Sequence, residues 1–165
     1  MLKRIKKTFR LYQTKFSFGA TSAIITNLGL ISGLWTGMHP KLAIIGAMLL
    51  IAIVDNISDS VGIHIYQESE LLNTREIWIS TFTNFFTRIL VSLSFVLLVI
   101  ILPIKPAVIS SIIWGLTLLA VLSYTIAKDE EVNPFFAMFE HVGIAIAVII
   151  LSNYIGGFVI SKFKL

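Results

Sequence analysis

Residues 42–70 read LAIIGAMLLIAIVDNISDSVGIHIYQESE. The stretch from Leu42 to Val54 carries no charge, and Asp55 and Asp59 then enter one helical turn apart. A bilayer's hydrocarbon core takes about 20 apolar residues in a helix. A helix over roughly 42–67 therefore places Asp55 near mid-membrane or in the inner half of the bilayer. Working outward, the chain is also free of Asp, Glu, Lys and Arg from Phe16 to Pro40, Ile89 to Ile104, Pro106 to Ala127 and Val142 to Ser161. Such long runs without period-2 alternation read as helices rather than barrel strands. The expected fold is an all-α integral membrane protein. Five spanning helices are expected at about 16–37, 42–67, 78–102, 107–127 and 140–161. They form one transmembrane domain over 16–165, preceded by a basic cytoplasmic arm over 1–15.

Composition agrees. The 165 residues are 56% hydrophobic and 13% charged, with a mean hydropathy of +0.90, whereas soluble domains carry about 25% charged residues. A soluble enzyme, a disordered chain and a nucleic-acid module are all excluded. No cysteine is present, so disulfides, thiolate metal sites and iron–sulfur clusters are excluded too. Six of the thirteen basic residues lie in the first fifteen positions, so the net charge of +4 is a local cluster and not a general basic face. Gln13, Thr14, Lys15 and Ser17 fall where a signal peptide needs an uninterrupted apolar stretch, so the arm is expected to be retained.

Orientation follows from the Lys/Arg bias. With the N-terminus inside, inner segments hold Lys3, Arg4, Lys6, Lys7, Arg10, Lys15, Arg75 and Lys128, and outer ones hold Lys41, Lys105, Lys162 and Lys164. The expectation is N-in, C-out. The missing targeting segment and the Ile/Lys usage favour a prokaryotic plasma membrane.

The polar residues inside the helices carry the functional reading. Asp55, Asp59, Gly62 and Tyr66 fall within roughly 60° of one another on helix two, flanked by Ser58, Ser69 and Glu70. Asn56, Ser60, His64 and Glu68 form a second line about 140° away. A carboxylate at the bilayer centre costs about 2.5–3.5 kcal/mol on insertion scales, so both aspartates need ions, protons or partners. Two carboxylates with hydroxyls beside them make a hard oxygen site that suits Mg, Mn or Fe(II). The competing reading is a buried ion pair, for example with Arg88 of helix three. His64 is a nitrogen ligand for a separate site or a core histidine. Glu140-His141 is a metal-ligand pair only with a bent backbone. Asn27 in helix one is expected to face protein or water. Seven of the nine acidic residues gather on the inner side, as a cation-collecting mouth or a solvated loop. Gly29, Gly33 and Gly37 recur every four residues, and small residues let helices approach closely. They read as tight packing within one chain or as a dimer seam, and the seam with helix one near it is the expectation. No hydrolase elbow, zinc-protease helix or phosphate loop is present, so an enzyme is not expected.

The stretch Phe18-Gly19 through Thr26-Asn27-Leu28-Gly29-Leu30-Ile31-Ser32-Gly33 is similar to the F-G-x-x-D-G-x-x-T-x-x-G-L-x-x-G pattern of the vacuolar iron transporter family, the nodulin-like five-helix transporters. Tyr66-Gln67-Glu68-Ser69-Glu70-Leu71 resembles that family's S-Q-R-E-L ending of helix two. The resemblance runs over nearly the full length. The family's helix-one aspartate falls at Ser22, and its helix-two acidic position falls near Val61. The Glu-rich insertion of plant members is absent, since the connector after helix two is about ten residues. The resemblance implies a homodimer that exports Fe2+ or Mn2+ from the cytosol, coupled to protons, along a path between subunits. No permanently bound cofactor and no nucleic-acid partner are expected. The residues expected on the ion path are Asn27, Asp55, Ser58, Asp59, His64, Tyr66, Glu68, Glu70 and Glu140. The alternative is a membrane interaction or assembly protein that retains the fold without transporting.

Overall fold

The computed structural model describes the backbone of residues 2–163 and the side chains of residues 16–163. The chain is five helices: α1 (Leu2–Leu34), α2 (Pro40–Ser69), α3 (Thr74–Ile101), α4 (Ile104–Asp129) and α5 (Pro134–Phe163). All five contain a segment long and apolar enough to cross a membrane, that of α1 being Phe16–Leu34. The all-α, five-span expectation holds.

The helix ends differ from those read off hydropathy, for local reasons. Residues 2–15 continue α1 without a break, so the basic arm is the first part of that helix. No glycine or proline interrupts it before Gly19, and Lys, Arg, Leu and Gln are good helix formers. The helix ends at Leu34 instead of 37, where Trp35–His39 turns through a left-handed His39 (φ 50°). Asn73 caps α3, its side chain accepting from the Arg75 N–H at 3.0 Å, and so starts the helix four residues before the apolar run. Asn133 does the same for α5, accepting from Phe135 and Phe136 at 3.1 and 3.3 Å. Pro134 fills the first helical position, where a missing N–H costs nothing. Pro106 lies in the first turn of α4 for the same reason, which shrinks the α3–α4 connector to Leu102 and Pro103.

α1 packs against all four other helices, α2 lies chiefly on α3, and α4 pairs with α5. Buried positions recur every four residues: Ile44, Met48, Ala52, Asn56 and Ser60 on α2, and Ser111, Gly115, Leu119, Ser123 and Ala127 on α4. Such rows are the i±4n ridges by which helices interdigitate. Gly115 accommodates Leu28 of α1, whose Cδ2 would lie 2.7 Å from any Cβ there.

The bundle has two storeys. Towards the α1–α2 turn the interior is apolar, built from Ile24, Leu28, Ile31, Ile44, Met48, Phe95 and Val99. Towards the α2–α3 turn it becomes polar, with Ser80, Asn84 and Ser60 buried. At the apolar end Lys41 donates to the carbonyls of Ile100 and Leu102 at 2.9 and 3.1 Å, capping α3 where its dipole is negative. Lys41→Met keeps the apolar stem and removes this cap. It is expected to cost about 1 kcal/mol, seen as a lower melting temperature in detergent with an unchanged helical content.

Candidate functional site

The chemistry concentrates where α1, α2 and α3 meet. Asp55 lies at the midpoint of α2 and Arg88 at the midpoint of α3. The two helices run antiparallel, so the midpoints meet. Arg88 is 3% exposed. Its Nη2 donates to Asp55 Oδ2 at 2.6 Å, and its Nη1 donates to Asp59 Oδ2 and to Ser22 Oγ of α1 at 2.6 Å. One guanidinium thus bridges carboxylates on successive turns of α2 and ties both to α1. The spacing that brings Asp55 and Asp59 onto one face is what lets a single fork reach both.

The clasp is unequal in two respects. Two carboxylates face one guanidinium, which leaves one formal negative charge in excess. The guanidinium is buried, while the side chains of Asp55 and Asp59 stay 44% and 38% exposed. Their stripe continues through Ser58, Gly62 and Tyr66, which are exposed. The second polar line of α2 behaves differently. Asn56 donates to the Phe85 carbonyl at 2.8 Å, and Ser60 accepts from Asn84 at 3.2 Å. His64 lies 3.0 Å from Thr81 Oγ1 and edge-on to Trp78. That line packs on α3. The two polar sides of α2 therefore differ: one is packed on α3, with the buried Asn56 amide oxygen left without a partner among the described residues, and the other is held by Arg88 but half-open.

Ser22 belongs to the clasp as a neutral acceptor. Gly19, one turn before it, admits the neighbouring groups: a Cβ there would lie 2.8 Å from Asn84 Oδ1 and 3.4 Å from Arg88 Cγ. Asn27 is buried and donates to Ser92 Oγ at 3.0 Å, as expected of a residue facing protein. It also donates back to the Ala23 carbonyl of its own helix at 2.8 Å.

Other expected site residues stand apart from the clasp. His64 Nε2 is 3.4 Å from Glu68 Oε1, and that pair sits on the α3 side. Glu70 caps the end of α2 in the exposed turn. Glu140 is exposed on α5, and His141 beside it meets Ser123 of α4 at 2.9 Å, so the two do not converge. Among the described residues no three His, Cys, Asp or Glu side chains are grouped to hold a metal ion. The glycine stripe meets α5 in the single chain. Gly29 and Gly33 face α5 of the same chain: a Cβ on Gly33 would lie 3.3 Å from the Ser152 carbonyl oxygen, and one on Gly29 3.3 Å from Ser152 Oγ. A Cβ on Gly156 would run into the Gly33 carbonyl. Within the single chain Gly29 and Gly33 thus admit α5, and together with Gly37 they also line an apolar cleft beside it. Gly37 lies past the end of α1, with the Ile160 side chain nearest.

Arg88 is the residue whose importance the sequence understates. A signal exists: Ser80, Asn84, Arg88 and Ser92 recur every four residues along an apolar helix, and all four are buried. The fold and this site define a polytopic helical membrane protein with a charged cluster at the centre of its spanning helices. No family model, curated protein or solved structure matches the chain.

Proposed function

We propose that the protein is a divalent-cation transporter for Fe2+ or Mn2+, working as proton-coupled export from the cytosol, with the N-terminus inside. The observation that carries this reading is the half-exposed Asp55–Arg88–Asp59 clasp at the middle of the spanning helices. A purely structural ion pair gains most when both partners are enclosed, since a carboxylate open to hydrocarbon is costly. Here only the guanidinium is enclosed. The open α2 face needs water or a second copy of the chain against it, and a homodimer joined along this face satisfies that need. Arg88 then acts as a tethered cation that neutralises the pair until cargo arrives. A divalent ion matches the two carboxylates in charge and releases the guanidinium towards Ser22. Protons on the aspartates release it in the same way.

Charge counting gives the test. Asp55→Asn or Asp59→Asn leaves one carboxylate against one guanidinium, a balanced pair, so the protein folds. Removing one anionic ligand weakens a hard-cation site strongly. Mn(II) flux per folded protein in proteoliposomes is expected to fall at least about tenfold in each variant. Normal specific flux in both would take the pair off the path.

A second reading is a non-transporting membrane module in which the clasp only joins α1, α2 and α3. It is favoured by the bonding of Arg88, which has partners on both α1 and α2. Absence of Fe(II) and Mn(II) flux through the unaltered protein would select it.

A further inference from the structure

Asn84 lies one turn before Arg88 on the same buried face of α3. Its side chain is fully enclosed, and its Nδ2 donates to Ser60 of α2 at 3.2 Å. Its carbonyl oxygen is buried without a hydrogen-bond partner among the described residues. A buried oxygen is expensive to leave unpaired, and such an oxygen in a native interior asks for an explanation. The arginine beside it supplies one. A Cβ built on Gly19 of α1 would lie 2.8 Å from Asn84 Oδ1 and 3.4 Å from Arg88 Cγ. Both groups thus close on the α1 backbone at one point, the amide oxygen and the arginine stem side by side. Rotation about the bonds beyond Cγ swings a guanidinium while its stem stays in place.

Arg88 needs a second place to go. Its guanidinium is always charged and is almost wholly enclosed. While Asp55 and Asp59 are ionised they hold it. Once both are neutral, its one remaining partner outside α2 is Ser22 Oγ, and a buried charge so poorly matched is costly. A guanidinium has five N–H donors and no acceptor, so it takes a free carbonyl oxygen within reach.

We infer that Asn84 Oδ1 is the second resting place of the Arg88 guanidinium, taken up when Asp55 and Asp59 lose their negative charge. Neutralisation by a transported cation rests on the transport reading, but the resting place does not.

Substitution removes the two charges without any cargo. In Asp55→Asn/Asp59→Asn the guanidinium is expected on Asn84. Asn84→Leu keeps much of the bulk and removes the oxygen. It is expected to lower the melting temperature in detergent by at least about 3 °C more in that background than in the unaltered protein. The lost Ser60 bond is common to both backgrounds and cancels in the comparison. Asn84→Asp makes the opposite change and puts a charged partner one turn from Arg88. Added to Asp55→Asn/Asp59→Asn, it is expected to restore most of the lost stability, and its rescue is readable as recovered accumulation even where the double variant folds too poorly to melt. Arg88 is one of four arginines, so the nitrogen-15 resonances of its side chain report its position directly. They are expected to move in Asp59→Asn, and Asn84→Leu is expected to cancel that movement. Equal losses from Asn84→Leu in both backgrounds, or no rescue by Asn84→Asp, overturn the inference and leave the oxygen to a buried water. Rescue by Asn84→Asp without Mn(II) flux through the unaltered protein keeps the resting place and removes the transport reading.

Discussion

Arg88→Leu is expected to be the most damaging single substitution in the protein. It removes the only described cation touching Asp55 and Asp59 and leaves two carboxylates at mid-membrane. A carboxylate left without its cation at the bilayer centre costs about 2.5–3.5 kcal/mol, a large part of the stability of a domain this size. The variant is expected to accumulate poorly and to melt well below the unaltered protein in detergent. The penalty comes from charge, so it is reversible by charge. Asp55→Asn and Asp59→Asn added to Arg88→Leu leave a neutral trio and are expected to restore most of the lost stability. If Arg88→Leu melts like the unaltered protein, the clasp does not hold these helices together. If the triple variant is no better than the single one, the loss is one of packing and not of charge.

Gly156→Leu is expected to come second. The nearest group to a Cβ at Gly156 is the Gly33 carbonyl of α1, part of a helix backbone that cannot swing aside as a side chain would. Either α5 lifts off α1 or the helices shift, and overpacking of this kind costs about 1–3 kcal/mol or more. The adjacent residue is the control. A Cβ at Gly157 meets nothing within 4 Å, so Gly157→Leu is expected to be nearly neutral. Thermal melting of the two variants side by side separates close helix approach from a general dislike of leucine at this depth. Gly33→Leu is expected to behave like Gly156→Leu and to destabilise the single chain. If it instead dissociates a dimer and leaves each chain as stable as before, the stripe is a seam between subunits.

These two sites show how far the sequence reaches. Five apolar runs identify five helices because hydrocarbon admits no unpaired backbone, a constraint that acts on each segment alone. Hydropathy misplaced the starts of α3 and α5 because Asn73 and Asn133 cap them through side-chain hydrogen bonds, and polarity windows do not register caps. Asp55 and Asp59 announce themselves, since no other carboxylate interrupts an apolar stretch so deeply. Lys41 counts among the four outer cations, but its service to the α3 C-terminus is not legible in the sequence.

What the sequence by itself determined is therefore one-dimensional: which segments enter the membrane, which residues share a helix face, and that the α2 aspartates require compensation. The tertiary structure decided the partners. Periodicity places Ser80, Asn84, Arg88 and Ser92 on one face of α3 without saying which helix that face meets. It gives Gly29 and Gly33 the same spacing whether the covering helix is α5 of this chain or α1 of another. Helical repeat depends on the chain's own backbone alone, whereas pairing depends on how five helices divide a limited buried interior. Only that division brought a guanidinium from α3 between two carboxylates of α2 and left their outer side uncovered.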